Sequence, residues 1–345
     1  MRRLSLHRSA VLALALSAIL AQGCDTLTGD DGGGDVDRSE RLFPARQDGE
    51  HVLIDKTGRV VVTLDDHSQV KAGREGLVPA RRWNGHRHVW DFFDAQGAIA
   101  FSVAADAVDA PSQGRVLFWV DGRSGFVDLE GRFVVNPYLN DSRSFQEDFA
   151  RVKTTGWQWG LIDRDGKVAV EPAWGDLANV SDGRARFESG EAYGFIDAAG
   201  TEVIPAVYDD ARSFSGGRAA VRQGQRWFYI DRDDARVMGS TTFISAGDFG
   251  DGLAPVRTEN LWEYIDEGGA RRIDPQFDEA RTFVDGRAAV RVDGRWTFID
   301  RDGRQIAEPS YDEVDDFDGG LARVVVDEKA GYIDRDGKAV WIPRK

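Results

Sequence analysis

The chain has 345 residues and carries 59 acidic against 44 basic side chains, which gives a formal net charge of −15 at pH 7. So acidic a protein repels phosphate backbones, and nucleic acid is therefore excluded as an expected partner. Apolar residues make up 41% of the chain. They can form a buried core only if they recur periodically, so the pattern along the chain must be followed in order.

The N-terminal segment has the features of a targeting sequence. Residues 1–8 contain three arginines, and residues 9–21 are apolar and rich in Leu and Ala. This order is typical of a secretory signal peptide, and the apolar run is too short to span a bilayer. Cys24 follows after Gln22 and Gly23 and is the only cysteine in the sequence, so it has no partner for a disulfide within the chain.

The junction around Cys24 resembles the lipobox of bacterial lipoproteins, in which the cysteine is lipidated and becomes the mature N-terminus. Ala21 and Gly23 supply the small residues of that pattern, whereas Gln22 is unusual and Leu20 lies one position early. The resemblance implies a signal peptide over 1–23 and a bacterial cell-envelope location, extracytoplasmic and lipid-anchored. It leaves open which membrane carries the anchor. Ordinary secretion with an unmodified Cys24 is the alternative.

The segment that follows is predicted to be a tether. Residues 24–40 are rich in Gly and Asp and nearly free of bulky apolar side chains, so they cannot bury enough surface to fold by themselves. The remaining residues, 41–345, are predicted to form one repeat domain.

That domain repeats a short apolar stretch ending in Asp. The stretch occurs nine times, with a first interval of 39 residues and later intervals of 34 or 35; its aspartates are Asp55, Asp94, Asp128, Asp163, Asp197, Asp231, Asp266, Asp300 and Asp334. A fixed period of this kind indicates a repeat architecture. Because helical repeats can share a 34-residue period, the local pattern has to decide the fold class.

The local pattern predicts strands. Residues 287–292 alternate in polarity, Asp293-Gly294 is a typical hairpin turn, and residues 295–300 are aromatic or β-branched up to Asp300. A second tight turn ends at Gly303. No segment shows the apolar i, i+3, i+4, i+7 spacing of a helix. We therefore predict an all-β fold in which each repeat forms three or four short antiparallel strands.

The strand before each repeat aspartate is apolar on both faces. Trp296 and Phe298 point to one face, and Thr297 and Ile299 to the other. The small sheets are therefore predicted to stack face to face. Five tryptophans occupy the position four residues before an Asp and are predicted to be structural: Trp90, Trp159, Trp227, Trp262 and Trp296. Trp83, Trp119 and Trp157 lie outside this register and are expected to be more exposed.

Residues 159–166, Trp-Gly-Leu-Ile-Asp-Arg-Asp-Gly, resemble the hallmark of the WG-repeat family of bacterial proteins. Other copies keep only part of it, and the resemblance covers residues 41–345. It implies a binding or scaffold role more than catalysis. The stacked sheets are expected to close into a β-propeller-like ring, with an open β-solenoid as the alternative. The chain ends soon after Trp341, which predicts that the last repeat lacks its final strand and that residues before Phe43 supply one.

Candidate sites are few. The Asp-x-Asp-Gly turns resemble the start of a calcium loop, but arginines separate the acids and no bidentate Glu follows, so an Asp that caps its own turn is the favoured interpretation. His86 and His88 provide two of the three or four ligands that a metal site needs, and a surface loop is expected there. No nucleophile elbow, phosphate loop or zinc motif occurs. We expect no catalytic residue, no metal and no cofactor.

The combined features predict a membrane-anchored, extracytoplasmic repeat protein that is not an enzyme. It is expected to bind a protein or glycan partner and to touch the lipid bilayer only through Cys24; its oligomeric state is left open. Two alternatives are a hydrolase or lyase with a site at the propeller centre and a calcium-stabilised, adhesin-like repeat protein. Residues 74–120, where the copies diverge, are predicted to matter most for function.

Overall fold

The structure is a computed structural model and describes residues 41–154, 156–308 and 310–342. Over these residues it contains 33 strands, arranged in nine small antiparallel sheets that follow one another along the chain. No helix in the described ranges is both long enough and apolar enough to cross a membrane. The all-β class and the nine repeats are confirmed.

The strands of the first three sheets are β1 (Phe43–Gln47), β2 (Glu50–Ile54) and β3 (Val60–Thr63); β4 (His67–Val70), β5 (Val78–Trp83), β6 (His88–Phe93) and β7 (Ile99–Ala104); β8 (Ala107–Val108), β9 (Arg115–Val120), β10 (Arg123–Asp128) and β11 (Phe133–Leu139). Those of sheets four to six are β12 (Asp141–Ser142), β13 (Phe149–Lys153), β14 (Trp159–Asp163) and β15 (Val168–Trp174); β16 (Asp176–Leu177), β17 (Arg184–Ser189), β18 (Ala192–Asp197) and β19 (Glu202–Tyr208); β20 (Asp210–Ala211), β21 (Arg218–Gln223) and β22 (Arg226–Asp231). Those of sheets seven to nine are β23 (Ser245–Ala246), β24 (Leu253–Arg257), β25 (Trp262–Asp266) and β26 (Arg271–Phe277); β27 (Glu279–Ala280), β28 (Ala288–Val292) and β29 (Arg295–Ile299); β30 (Glu313–Val314), β31 (Leu321–Val326), β32 (Lys329–Asp334) and β33 (Ala339–Trp341).

Each complete sheet follows one plan. A short first strand is followed by two longer strands joined in a hairpin, and a fourth strand pairs with the third. Because the strands alternate in direction, the turns after the first and third strands lie at one end of every sheet. We call this end the turn face. The opposite end, with the hairpins between second and third strands and the links to the next sheet, is the hairpin face.

The third strand of each repeat joins its sheet to both neighbours. In the eighth sheet, Phe298 packs with Phe317 of the ninth sheet, at a ring-centroid distance of 4.9 Å. Ile299, on the other side of the strand, packs with Tyr264 and Ile273 of the seventh sheet. Burying a side chain of this size contributes about 1.5–3 kcal/mol. The predicted face-to-face stacking is therefore confirmed, and it provides the core.

The first and ninth sheets are also neighbours. The rings of Phe43 and Tyr332 are 5.6 Å apart, and the Tyr332 hydroxyl donates a hydrogen bond of 2.8 Å to the Pro44 carbonyl oxygen. Gly58 packs on the Val340 backbone of the ninth sheet, as Gly97 packs on Val62 and Gly131 on Phe101 of the sheets that precede them. The nine sheets thus form a closed ring, a nine-bladed β-propeller, and the ring prediction is confirmed over the open solenoid.

The expected mode of closure was wrong. The ninth sheet has four strands of its own and ends in β33, and in the described residues β1 pairs only with β2. The prediction assumes that the last strand of a repeat begins at the proline that follows the repeat Asp, as Pro172 follows Asp163. The proline instead lies inside the fourth strand, as Pro172 does in β15, so that strand has already formed before the chain end is reached.

A glycine three residues before the repeat Asp shapes the fourth strand. A Cβ on Gly160 would lie 2.4 Å from the Val170 carbonyl oxygen, and the pairing of β14 with β15 shifts register at this point. Sheets six and eight carry Phe228 and Thr297 at this position. There the fourth strand is reduced to isolated bridges such as Trp227↔Phe243 and Trp296↔Tyr311. In sheets six and eight a larger side chain at this position thus coincides with a shortened fourth strand, whereas sheet seven keeps the full strand β26 with Glu263 at the same position.

Candidate interaction site

The in-register tryptophans are structural and are covered by cations. Trp90 and Trp159 are buried, and the other three are half-buried. Five cation–ring pairs illustrate the arrangement: Arg81 over Trp90 at 5.9 Å, Arg151 over Trp159 at 4.9 Å, Arg212 over Trp227 at 5.9 Å, Arg257 over Trp262 at 5.8 Å and Arg281 over Trp296 at 4.5 Å. Each such contact contributes about 0.5–2 kcal/mol. The prediction that these tryptophans are structural is confirmed, whereas their arginine partners were not foreseen.

All nine repeat aspartates cap their own turns. In every copy one carboxylate oxygen accepts the backbone N–H groups of the residues two and four positions later, at 2.8–3.1 Å. This confirms the structural interpretation of the Asp-x-Asp-Gly turns. Within the described ranges, no three His, Cys, Asp or Glu side chains are grouped so that they could hold a metal ion.

The predicted surface loop at His86 is confirmed. His86 is exposed, and the Asn84 side-chain oxygen accepts the N–H groups of His86 and Arg87 at 3.0 and 2.9 Å. The His88 ring lies edge-on to Trp83 at 5.0 Å. The two histidines are therefore parts of an ordered hairpin that presents Trp83.

One carboxylate in the divergent second sheet is fully buried. Asp91 is 0% exposed and accepts hydrogen bonds from Arg82 and Ser102, with His67 Nε2 3.2 Å away. Burial by itself would raise the Asp91 pKa, but the hydrogen bonds from Arg82, Ser102 and His67 outweigh it and hold the pKa below its usual value. The sequence signal was available, since Asp91 stands where well-kept copies have Gly, but it was not recognised.

A second carboxyl group shows the opposite shift. Burial raises the pKa of Asp248, and the nearby Arg212 only partly offsets this effect. One of its carboxylate oxygens has no hydrogen-bond partner among the described residues. A perturbed carboxyl group can mark a functional site, but Asp248 lies next to Tyr229 and not in a group of convergent acids or histidines in the described part of the chain.

Three large aromatic side chains are exposed on the hairpin face of consecutive sheets. They are Trp83 in the second sheet (58% exposed), Tyr138 in the third (58%) and Trp157 in the fourth (86%). Trp119 of the third sheet is half-buried and packs against a core cluster. The expected exposure is thus confirmed for Trp83 and Trp157 but not for Trp119, and Tyr138 was missed.

A cavity of about 1000 Å³ opens beside the first sheet. In sheet one, β1 and β2 correspond to the second and third strands of a complete sheet, since β2 ends directly before the repeat Asp55. The cavity is lined by β1, by the first-strand regions of sheets two, eight and nine, and by the second and third strands of sheet nine with the turn that joins them. Because the first-strand edges of several sheets meet at this cavity, the first-strand edge of each sheet faces the inner side of the ring. Six Arg or Lys residues and four Asp or Glu residues line the cavity: Arg41, Arg46, Arg74, Arg281, Arg323, Lys329, Asp315, Asp316, Asp318 and Glu328.

Cys24, the predicted lipidation site, lies outside the described residues, as do the predicted signal peptide and tether. The domain boundaries at 23 and 40 stay predictions.

Comparison with protein families identifies the repeats. The WG containing repeat matches at residues 125–156, 159–191, 193–227, 264–296 and 296–329. These matches fall on sheets three to nine, and the chain belongs to the WG-repeat family, as its hallmark residues indicated. Comparison with curated proteins gives no significant match.

Several solved structures align with this chain. A eukaryotic initiation factor aligns over 88% of this chain and 97% of its own, with a TM-score of 0.61 and 10% identity. The dihydro-heme d1 dehydrogenase NirN aligns over 90% of this chain and 75% of its own, with a TM-score of 0.43 and 14% identity. BamB from Moraxella catarrhalis aligns over 77% and 95%, with a TM-score of 0.38 and 10% identity. The first likeness supports the propeller fold, and at such low identity it supports nothing beyond the fold.

Proposed function

We propose that this protein is a non-enzymatic interaction scaffold, anchored through Cys24 on the outer side of a bacterial membrane, and that it recognises a protein or glycan on the hairpin face of sheets two to four. One observation carries the recognition surface. Trp83, Tyr138 and Trp157 are exposed on one face of three consecutive sheets, and Trp83 lies within residues 74–120, where the copies diverge. Aromatic side chains are frequent anchors in binding sites because they bury a large area at a low cost in conformational entropy.

The shape of the second-sheet hairpin supports the same role. The Asn84 side chain accepts two backbone N–H groups of the loop, and the His88 ring packs edge-on against the Trp83 ring. A side chain held in this way loses less freedom when a partner binds. The role of the repeat aspartates in their own turns supports a non-enzymatic function, since these carboxylates are already engaged by backbone N–H groups.

The experiment is a crosslinking capture from intact cells. We expect the double variant Trp83→Ser with Trp157→Ser to lower recovery of the crosslinked partner at least about tenfold, in line with the loss of anchor residues. Phe133→Ser is the matched control, because Phe133 is 62% exposed but begins β11 at the turn-face end. Equal recovery with the wild type, the double variant and Phe133→Ser would refute the proposed surface.

The anchor has its own test. Mass spectrometry of the mature protein is expected to find a lipidated Cys24 at the N-terminus, and Cys24→Ala should release the protein from membranes. An unmodified Cys24 would refute lipidation and leave the recognition surface unaffected.

A further inference from the structure

The cavity beside the first sheet marks a strand edge that is covered in the other eight sheets. In each of those, a backbone N–H just after the first strand bonds to a carbonyl oxygen of the second strand, at 2.7–3.0 Å. The eight pairs are Lys71 to Pro79, Asp109 to Leu117, Arg143 to Arg151, Ala178 to Arg186, Arg212 to Ala220, Gly247 to Pro255, Arg281 to Ala289 and Asp315 to Arg323. The equivalent carbonyl in sheet one belongs to Pro44, and no strand covers it among the described residues.

The Tyr332 hydroxyl donates a hydrogen bond to this carbonyl oxygen, and no other tyrosine in the described sheets bonds to the equivalent carbonyl. Tyr229 and Tyr264, at the same repeat position, donate their hydroxyl groups to Gly247 and Arg281, just after the first strand of the next sheet. The Tyr332 hydroxyl reaches past that position to the second strand and bonds to Pro44 at 2.8 Å. The pattern indicates that a strand is accommodated beside β1.

The charges of the cavity favour an acidic occupant. Three cations pair internally: Arg41 with Asp318, Arg281 with Asp316 at 3.7 Å and Arg323 with Asp315 at 3.6 Å. Arg46, Arg74 and Lys329 have no carboxylate partner in the described part of the chain and outnumber the remaining acid, Glu328. In a protein with a net charge of −15, such a local excess of positive charge attracts anionic segments.

Arg46 defines where the acid would lie. Arg46 lies opposite His51, the residue four positions before the repeat Asp55. Arg222 in sheet six and Arg291 in sheet eight occupy the same position in their sheets. Arg222 pairs with Asp210 at 3.7 Å and Arg291 pairs with Glu279 at 2.6 Å, and both acids open a first strand. Five of the first strands begin with such an acid and continue with a small or aliphatic residue: Asp141-Ser142, Asp176-Leu177, Asp210-Ala211, Glu279-Ala280 and Glu313-Val314.

We propose that the cavity is a strand-addition site for an extended segment of a partner protein, in which an Asp or Glu is followed by a small or aliphatic residue. The segment pairs with the edge of β1 that no described strand covers, and one of its backbone N–H groups donates to the Pro44 carbonyl oxygen in place of the Tyr332 hydroxyl. Its acid pairs with Arg46, and the next side chain enters the apolar part of the cavity near Ala45 and Tyr332. Main-chain pairing supplies affinity and the acid supplies selectivity. The site is separate from the hairpin-face surface and goes beyond that proposal.

The probe is a fluorescent peptide with the sequence of residues 208–213, Tyr-Asp-Asp-Ala-Arg-Ser, which copies a first strand of this protein. Binding to the full mature chain is measured by fluorescence anisotropy at low salt. We expect saturable binding. The affinity should fall about tenfold in Arg46→Gln, because that variant loses one charge-assisted hydrogen bond to the peptide. A peptide with Asn in place of Asp210 should lose a similar factor. Arg291→Gln is the matched control and should bind normally, because the chain's own Glu279 already covers that arginine.

Tyr332→Phe provides an independent test. It frees the Pro44 carbonyl, so we expect the peptide to bind severalfold more tightly, an effect that mere structural damage would not produce. No binding to the full chain would overturn the proposal, including the case in which residues before Arg41 already fill the site. Binding that is insensitive to Arg46→Gln, or that is weakened by Tyr332→Phe, would overturn it as well. The Trp83 and Trp157 variants should bind the peptide normally, which separates this proposal from the preceding one.

Discussion

The two faces of the ring use the same repeats differently. On the turn face, every repeat aspartate caps its turn, and side chains cross to the next sheet in a regular pattern. Ser181 donates to the Phe214 carbonyl at 2.7 Å and Ser215 to the Phe249 carbonyl at 2.6 Å, while Glu147 accepts N–H groups of the next repeat's turn. On the hairpin face, some connections are two-residue Asp-Gly turns and others are longer loops, and Trp83 and Trp157 point outward there.

The difference indicates how the repeat is constrained. The turn capped by the repeat aspartate recurs in all nine copies, so this part of the turn face stays uniform, although the side chains that cross to the next sheet differ between copies. A hairpin needs hydrogen bonds only within its own sheet. Asp209 accepts the N–H of Gly224 at 2.6 Å, and Asp312 accepts the N–H of Asp327 at 2.8 Å. The hairpin face can therefore vary without breaking the ring, and this freedom makes it suitable for recognition.

The largest effect is expected from the glycine that brings the fourth strand close. Gly160→Ala places a Cβ 2.4 Å from the Val170 carbonyl oxygen, so the strand must move, at a cost of about 2–3 kcal/mol. Gly175→Ala is the control, because a Cβ there meets nothing within 4 Å and should change the free energy of unfolding by less than about 0.5 kcal/mol. Urea unfolding followed by tryptophan fluorescence measures both. Equal stability of the two variants would contradict this account of the glycine.

A smaller, pH-dependent effect is expected from a turn-face cap near the ring closure. Burial alone would raise the Asp55 pKa, but hydrogen bonds from Thr57 and Arg59 lower it to about 2 from 3.8. A carboxyl with a lowered folded-state pKa adds stability above the unfolded-state pKa and loses it as the pH falls through the folded-state value. Asp55→Asn should therefore be less stable than the wild type at pH 6, and the gap should close toward pH 2. A gap that stays constant from pH 6 to pH 2 would argue against a charged cap.

The smallest effect is expected on the hairpin face. Trp83→Ser and Trp157→Ser remove exposed side chains, so each should change the free energy of unfolding by less than about 0.5 kcal/mol. The same urea titration measures this. If either variant lost more than about 1 kcal/mol, that tryptophan would be part of the core and the contrast between the two faces would fail.

Much of the fold could be predicted from the sequence because the fold is periodic. Alternation around Trp296 to Ile299 predicted strands with two buried faces, and the repeat aspartates predicted capped turns. Two predictions about the fold failed, one on the position of a strand and one on the exposure of a side chain. The final strand of the ninth sheet was misjudged because a proline can lie within a bulged edge strand, and Trp119 was expected to be exposed because its contacts come from elsewhere in the fold.

The candidate sites were predicted less well, for a related reason. The exposure of Trp83 and Trp157 followed from their lapse in register, which a sequence shows. The cavity beside β1 did not, because Arg46 and Tyr332 are 286 residues apart and meet only when the ring closes.

The sequence alone determined the repeat, its strand pattern and its turn chemistry, since each depends on residues within one 34-residue unit. Only the tertiary structure decided that nine units close into a ring, that the arginines cover the tryptophans and that, among the described residues, no strand covers the β1 edge beside the cavity. Those features arise where separate copies meet, and their geometry follows from how the sheets stack and not from the pattern of any one of them.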